Sequence, residues 1–193
     1  MDFTQGTFQE KHSRAKKMML WFGIISLIMS FAGWTSAFVV SSTREDWLAD
    51  FQLPSAFIVS TIVVLISSVT FMLAGKALKK NDPQMTTVWL FATLALGIAF
   101  ITNQFIGFNQ IIDMGYNFTG PTSNVTMSYI YLIAMVHIVH VIVGLVCILV
   151  VIYNHFKQKY HSEDMLGFEL AGTFWHFIDV LWVYLFLFLY FVG

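Results

Sequence analysis

The chain has 193 residues, of which 58% are hydrophobic, 17% aromatic and 11% charged, and its formal net charge is −1. A soluble domain carries roughly a quarter charged residues, so an ordinary soluble enzyme, a disordered segment and a basic nucleic-acid binder are excluded. The single cysteine, Cys147, excludes an internal disulfide and any multi-cysteine metal site, and a polytopic membrane protein remains.

Stretches free of Asp, Glu, Lys and Arg cover 18–43, 51–75, 83–112 and 114–156, and 170–193 is interrupted only by Asp179. A hydrocarbon core of roughly 30 Å takes about 20 helical residues. Helices are therefore expected near 18–40, 55–75, 86–110, 128–153 and 169–192. The runs are too long and too uniformly apolar for barrel strands. The expected fold is all-α, a five-helix transmembrane bundle forming one domain over 1–193. Lys11, Arg14, Lys16 and Lys17 precede the first run in the manner of a signal peptide, but no small-residue cleavage pattern follows and the run is long. It reads as a retained helix. Two glycosylation-type sequons, at Asn117 and Asn124, carry little weight at this length of pattern.

Orientation follows from Lys and Arg. The N-terminal segment has four, the loop after the second helix has Lys76, Lys79 and Lys80, and the loop after the fourth has Lys157 and Lys159. The opposite loops hold only Arg44, a ratio of nine to one. The expectation is a cytoplasmic N-terminus and an external C-terminus.

Small and polar residues mark where membrane helices meet. In the first helix Gly23, Ser26, Ser30, Gly33 and Ala37 recur at helical spacing. The second pairs Ser60 with Ser67 and Thr61 with Ser68. The third aligns Thr93, Gly97, Gln104 and Gly107. The fourth aligns His137, His140, Gly144 and Cys147, and the fifth Glu169, Gly172, His176 and Asp179. A left-handed bundle with all five stripes inward is the expected packing.

Intramembrane ionisable groups are functional candidates by default. They are His137, His140, Glu169, His176 and Asp179, with Asn103 and Gln104 as neutral partners. His176 and Asp179 lie three apart and can touch. At 1.5 Å rise per residue, His140 and Asp179 differ in depth by roughly 5 Å. One reading is a proton relay or store, since an imidazole beside a carboxylate suits that. The other is structural: His and Asp satisfy each other across helices. Glu169, near a helix N-terminus, suits a solvated or capping role. His137 with His176 is the obvious pair for a bis-His haem, but only three histidines lie in the membrane and few small residues surround them. No metal or haem is expected on this chain, and Cys147 reads as a small core residue. Trp175 and Trp182, seven apart on one face, suggest either a lipid or partner contact or plain packing.

These residues resemble a known family. Gly167-Phe168-Glu169, then Phe174-Trp175-His176-Phe177-Ile178-Asp179-Val180-Leu181-Trp182, resembles the closing helix of subunit III of haem-copper respiratory oxidases. The segment from His137 to Gly144 is similar to the family's H-G-x-H-V-x-x-G, and Ser60-Thr61 with Ser67-Ser68-Val69-Thr70 is similar to its N-T followed by S-S-x-T. Gly33, Ala37-Phe38 and Ser41-Ser42 match the end of another family helix. Two positions depart: Leu27 stands where a carboxylate commonly follows I-I-S, and none follows Gln104 within four residues.

The resemblance implies an accessory subunit III of a terminal oxidase that reduces oxygen and pumps protons, with electrons from cytochrome c or quinol. It implies no redox centre here, with haems and copper in partner subunits. It also implies contact with subunit I, subunit II in the same complex, bound structural phospholipid, and a multi-pass location in a bacterial-type cytoplasmic membrane. Membership of a larger respiratory supercomplex is compatible with it. Some family members have seven helices, and shorter ones keep the last five. Three rival readings are an accessory protein of a nitric-oxide reductase system, a small proton-coupled transporter, and a haem-b anchor using His137 and His176.

Overall fold

The computed structural model describes residues 7–45, 47–48, 53–120, 123–160 and 165–192. It contains five helices: α1 (Phe8–Ser41), α2 (Ser55–Lys79), α3 (Pro83–Asp113), α4 (Val125–Phe156) and α5 (Leu166–Val192). All five are long and apolar enough to cross a membrane, and no strand lies among the described residues. The chain is a multi-pass membrane protein with the expected all-α fold.

Most helices overrun the uncharged spans, because caps rather than charges end them. α1 starts ten residues before 18, where Thr7 and Glu10 form a reciprocal capping box with contacts of 3.4 and 2.9 Å. Asp82 caps α3 by accepting Met85 N–H at 3.1 Å, with Pro83 at the first helical position. The Asn124 side chain accepts Thr126 N–H at 2.8 Å and opens α4. Asn81 takes a positive φ of 54° just past α2 and so permits the tight turn into α3.

Helices α2, α3, α4 and α5 form a four-membered ring, each packing on its two neighbours. α1 lies outside it, against α4 and α5 only. Small residues draw the ring together where a large side chain enters the space they leave. A Cβ on Gly97 would stand 2.6 Å from Leu145 and 2.9 Å from the Trp175 ring. One on Gly144 would stand 2.9 Å from the same indole, one on Gly107 2.8 Å from Phe57, and one on Gly172 2.7 Å from Phe71. Trp175 and Trp182 are therefore the centre of the core, at 1% and 0% exposure. The outer faces of the helices are apolar, as lipid requires: Val139, Val146 and Leu149 on α4 are about half exposed.

One stripe is corrected. Gly23, Ser26, Ser30 and Gly33 are exposed, and nothing approaches within 4 Å of where the Cβ of either glycine would be. α1 buries the other side instead, through Ile24, Phe31, Thr35 and Phe38. Phe31 and Phe38 reach the rings of His140, Tyr129 and Phe188, so bulk rather than smallness sets this contact.

Candidate functional site

The antiparallel α2–α5 interface brings the motif residues of α5 onto the hydroxyls of α2. Trp175 Nε1–H donates to Ser67 Oγ at 3.1 Å, and Trp182 Nε1–H donates to Thr61 Oγ1 at 3.1 Å. Between them, His176 Nδ1 lies 2.6 Å from Ser68 Oγ, and the buried Asp179 carboxyl stands beside Ser68. Asp179, Ser68 and His176 form a polar group at about the mid-length of α5. Asp179 is 2% exposed and its Oδ2 has no partner in the protein. His176 is half-buried, with its ring edge-on to Phe71 at 5.7 Å. A hydroxyl that both donates and accepts, between an imidazole and a carboxyl, can hold a fixed register or pass a proton.

His137 is not in this chain of contacts. It is fully buried, and its ring meets Trp182 at 5.0 Å, Phe100 at 5.8 Å and Phe31 at 6.3 Å. Neither ring nitrogen has a hydrogen-bond partner among the described residues. Gln104, one turn beyond Phe100 on α3, is likewise fully buried with both amide atoms unpartnered. His140 is half-buried beside Phe31 and turns its Nδ1–H back to the Val136 carbonyl at 2.7 Å. The five ionisable candidates thus divide. His176 and Asp179 lie beside Ser68, His137 and His140 stand beside Phe31 of α1, and Glu169 pairs with Lys17.

Glu169 stands apart from the buried groups with which it shares a stripe, in the position its solvated or capping reading requires. It sits in the first turn of α5, and its carboxylate pairs with Lys17 Nζ of α1 at 3.2 Å, both side chains about half exposed. A charge at the end of a span escapes the apolar core by staying there. The lipid- or partner-contact reading of Trp175 and Trp182 is corrected too: both are buried and hydrogen-bonded inside the bundle. Their acceptors had been read only as small residues. The signal lay in two matched spacings, seven residues between the tryptophans and six between Thr61 and Ser67. A further pair had no such signal. His155 closes the other end of α4 on α3 through Thr87 Oγ1 at 3.0 Å.

Among the described residues, no group of three or more His, Cys, Asp and Glu side chains converges as metal ligands would. The space that Gly97 and Gly144 open between α3, α4 and α5 is filled by the Trp175 indole. A bis-histidine haem has no slot there, which counts against the haem-anchor reading.

The whole chain matches a known family. It fits the family described as cytochrome c oxidase subunit III over residues 2–193. The cytochrome c oxidase subunit 3 of Drosophila yakuba is 31% identical over 210 aligned positions, which cover 98% of this chain and 75% of the fly protein. The protein of the same name from Alkalihalophilus pseudofirmus is 32% identical over 145 residues, 75% of this chain and 69% of that one. The cytochrome bo(3) ubiquinol oxidase subunit 3 of Buchnera aphidicola is 30% identical over 138 residues, 70% of this chain and 69% of that protein. Five membrane-spanning helices, a closing helix whose motif residues form the core seam, and a match along the whole length lead to one conclusion: the chain belongs to the cytochrome c oxidase subunit III family and is an accessory subunit III of a haem-copper oxidase.

Proposed function

We propose that the chain works beside subunit I of its oxidase, with subunit II in the same complex, as a scaffold that supports assembly, sustained turnover and proton uptake. Haems and copper belong to those partners, and electrons arrive from cytochrome c or quinol. The observation that carries this reading is the α2–α5 seam. Its polar motif residues are spent on holding two membrane helices in one register, which is what a supporting subunit needs. The relay reading of Asp179, Ser68 and His176 keeps its place, because the three groups lie together and Ser68 meets His176 at 2.6 Å.

The Lys and Arg bias supports a cytoplasmic N-terminus in a bacterial-type cytoplasmic membrane. Phospholipid is the proposed occupant of the concavity between α1 and the outer end of α4. It encloses about 450 Å³ and is lined by Trp34, Phe118, Ser128, Tyr129 and Leu132. An apolar floor with an aromatic and hydroxyl rim suits an acyl chain below a polar headgroup.

Purification in mild detergent through a tag on this chain, with an optical spectrum and mass identification, tests the reading. Haem absorbance is expected to travel with oxidase subunits I and II. Recovery with a nitric-oxide reductase, or alone with substrate uptake in proteoliposomes, would replace it.

A further inference from the structure

α1 and α2 flank α5 without packing on each other, so the outer face of α5 between them is the floor of a lengthwise opening. Three stripes line it at helical spacing. Ile25 and Ile28 stand on α1, Leu65 and Met72 on α2, and Val180 and Leu187 on α5, each about half exposed or more. The inner end of the opening is closed by the Lys17–Glu169 pair across α1 and α5. Halfway along, where the walls are otherwise apolar, half-buried Ser68 and His176 reach the surface. The outer faces of α3 and α4 are apolar over long stretches, through Val88, Phe91 and Ile98 and through Val139, Val146 and Leu149, although α3 also exposes Thr102 and half-buried His140 on α4 bonds back to its own helix.

We infer that the α1–α2 opening seats a transmembrane helix of another subunit, whose hydrogen-bonding side chain meets His176 Nε2 at mid-bilayer depth. The inference rests on the chain being one subunit of a larger membrane complex. Its argument is one of complementarity. His176 spends Nδ1 on Ser68, and no hydrogen bond reaches Nε2 from the described residues. Behind it lies Asp179, 2% exposed, with Oδ2 unpartnered. An ionisable side chain at the centre of a span turns toward protein or water rather than lipid. An acyl chain fills the apolar walls equally well but offers nothing to an imidazole nitrogen. A helix carrying Ser, Thr, Asn, Gln or a carboxylate fills the walls and satisfies the nitrogen together.

Photo-crosslinking in the intact purified complex tests this. Cys147→Ala removes this chain's only native thiol, Val180→Cys places a benzophenone maleimide on the floor of the opening, and Leu149→Cys places it on the outer face of α4, with adducts read only from peptides crosslinked to this chain. Irradiation of the Val180→Cys complex is expected to give adducts on an apolar peptide of another oxidase subunit, with Leu149→Cys giving lipid adducts. His176→Phe should lower the peptide adduct by about five-fold, the size of one interhelical hydrogen bond, with His176→Gln retaining most of it. Lipid adducts alone at Val180→Cys, or adducts on a second copy of this chain, would overturn the inference. An adduct indifferent to His176→Phe would overturn the hydrogen bond. Failure of haem proteins to co-purify would strike the function proposed above instead, so the two failures are distinguishable.

Discussion

α1 and α3 carry the same sequence signal and use it in opposite ways. Each has glycines at helical spacing along one stripe. On α3, Gly97 and Gly107 are buried beneath Trp175, Leu145 and Phe57, and a Cβ at either would sit within 2.9 Å of a side chain. On α1, Gly23 and Gly33 face open space. A glycine therefore permits close approach without causing it. The cause is a large side chain on a neighbour that needs the room. Trp175 is that side chain for α3 and α4, and no described residue plays the part for the glycines of the α1 stripe.

Removing the filler breaks the comparison most severely. Trp175→Ala takes away the ring that fits Gly97 and Gly144 and orphans Ser67, and it is expected to cost about 3–5 kcal/mol. The purified chain would melt far earlier in a detergent thermal scan, and recovery of the complex would fall. Filling the space from the other side sharpens the comparison. Gly97→Ala overpacks the indole and should cost about 1–3 kcal/mol. Gly33→Ala should be neutral or slightly stabilising, within about 1 kcal/mol, because alanine favours helix and meets nothing there. Equal Tm shifts for the two variants would refute the filler account.

The polar groups divide in the same manner. Asp179→Leu nearly keeps volume and removes the buried carboxyl beside Ser68 and His176, so a loss of about 1–3 kcal/mol is expected. Parental assembly and turnover in that variant would refute a role for the Asp179, Ser68 and His176 group. His137→Phe goes the other way. It replaces a ring without hydrogen-bond partners by an apolar ring of similar shape among Phe31, Phe100 and Trp182. A change of under about 1 kcal/mol is expected, of either sign. A large loss would mean that His137 does more than fill space.

These contrasts also mark what a sequence can carry. The five helices were legible because nothing else tolerates so many uncharged residues in a row. The inward stripes of α3 and of α5 beyond Glu169 were legible because their small or polar positions coincide with a tight neighbour. The α1 stripe misled, since exposure depends on which helix stands opposite, and that is a property of the assembled bundle. The indole-to-hydroxyl bonds were hidden for a related reason. Trp182 meets Thr61 and Trp175 meets Ser67 only in one antiparallel register of α2 on α5, and a single helix does not contain that register. Glu169 shares the spacing of the α5 stripe, but its place in the first turn of the helix leaves it half exposed; spacing alone does not carry that depth.

The smallest effect belongs to that edge. Lys17 and Glu169 bridge α1 to α5 at 3.2 Å with both side chains about half exposed, and an exposed pair is worth about 0.2–1 kcal/mol and is screened by salt. Yet among the described helices α1 packs on α4 and α5 alone, so a weak tie has leverage on its N-terminal end that it would lack inside the four-helix ring. Glu169→Gln should leave the Tm of the whole chain within about 1 kcal/mol of the parent. It should still raise protease cleavage and hydrogen exchange in the first turns of α1, and high salt should reproduce that change in the parent. A uniform rise across all five helices would mean that the pair braces the ring itself. No rise anywhere would mean that α1 is held by Phe31 and Phe38 alone.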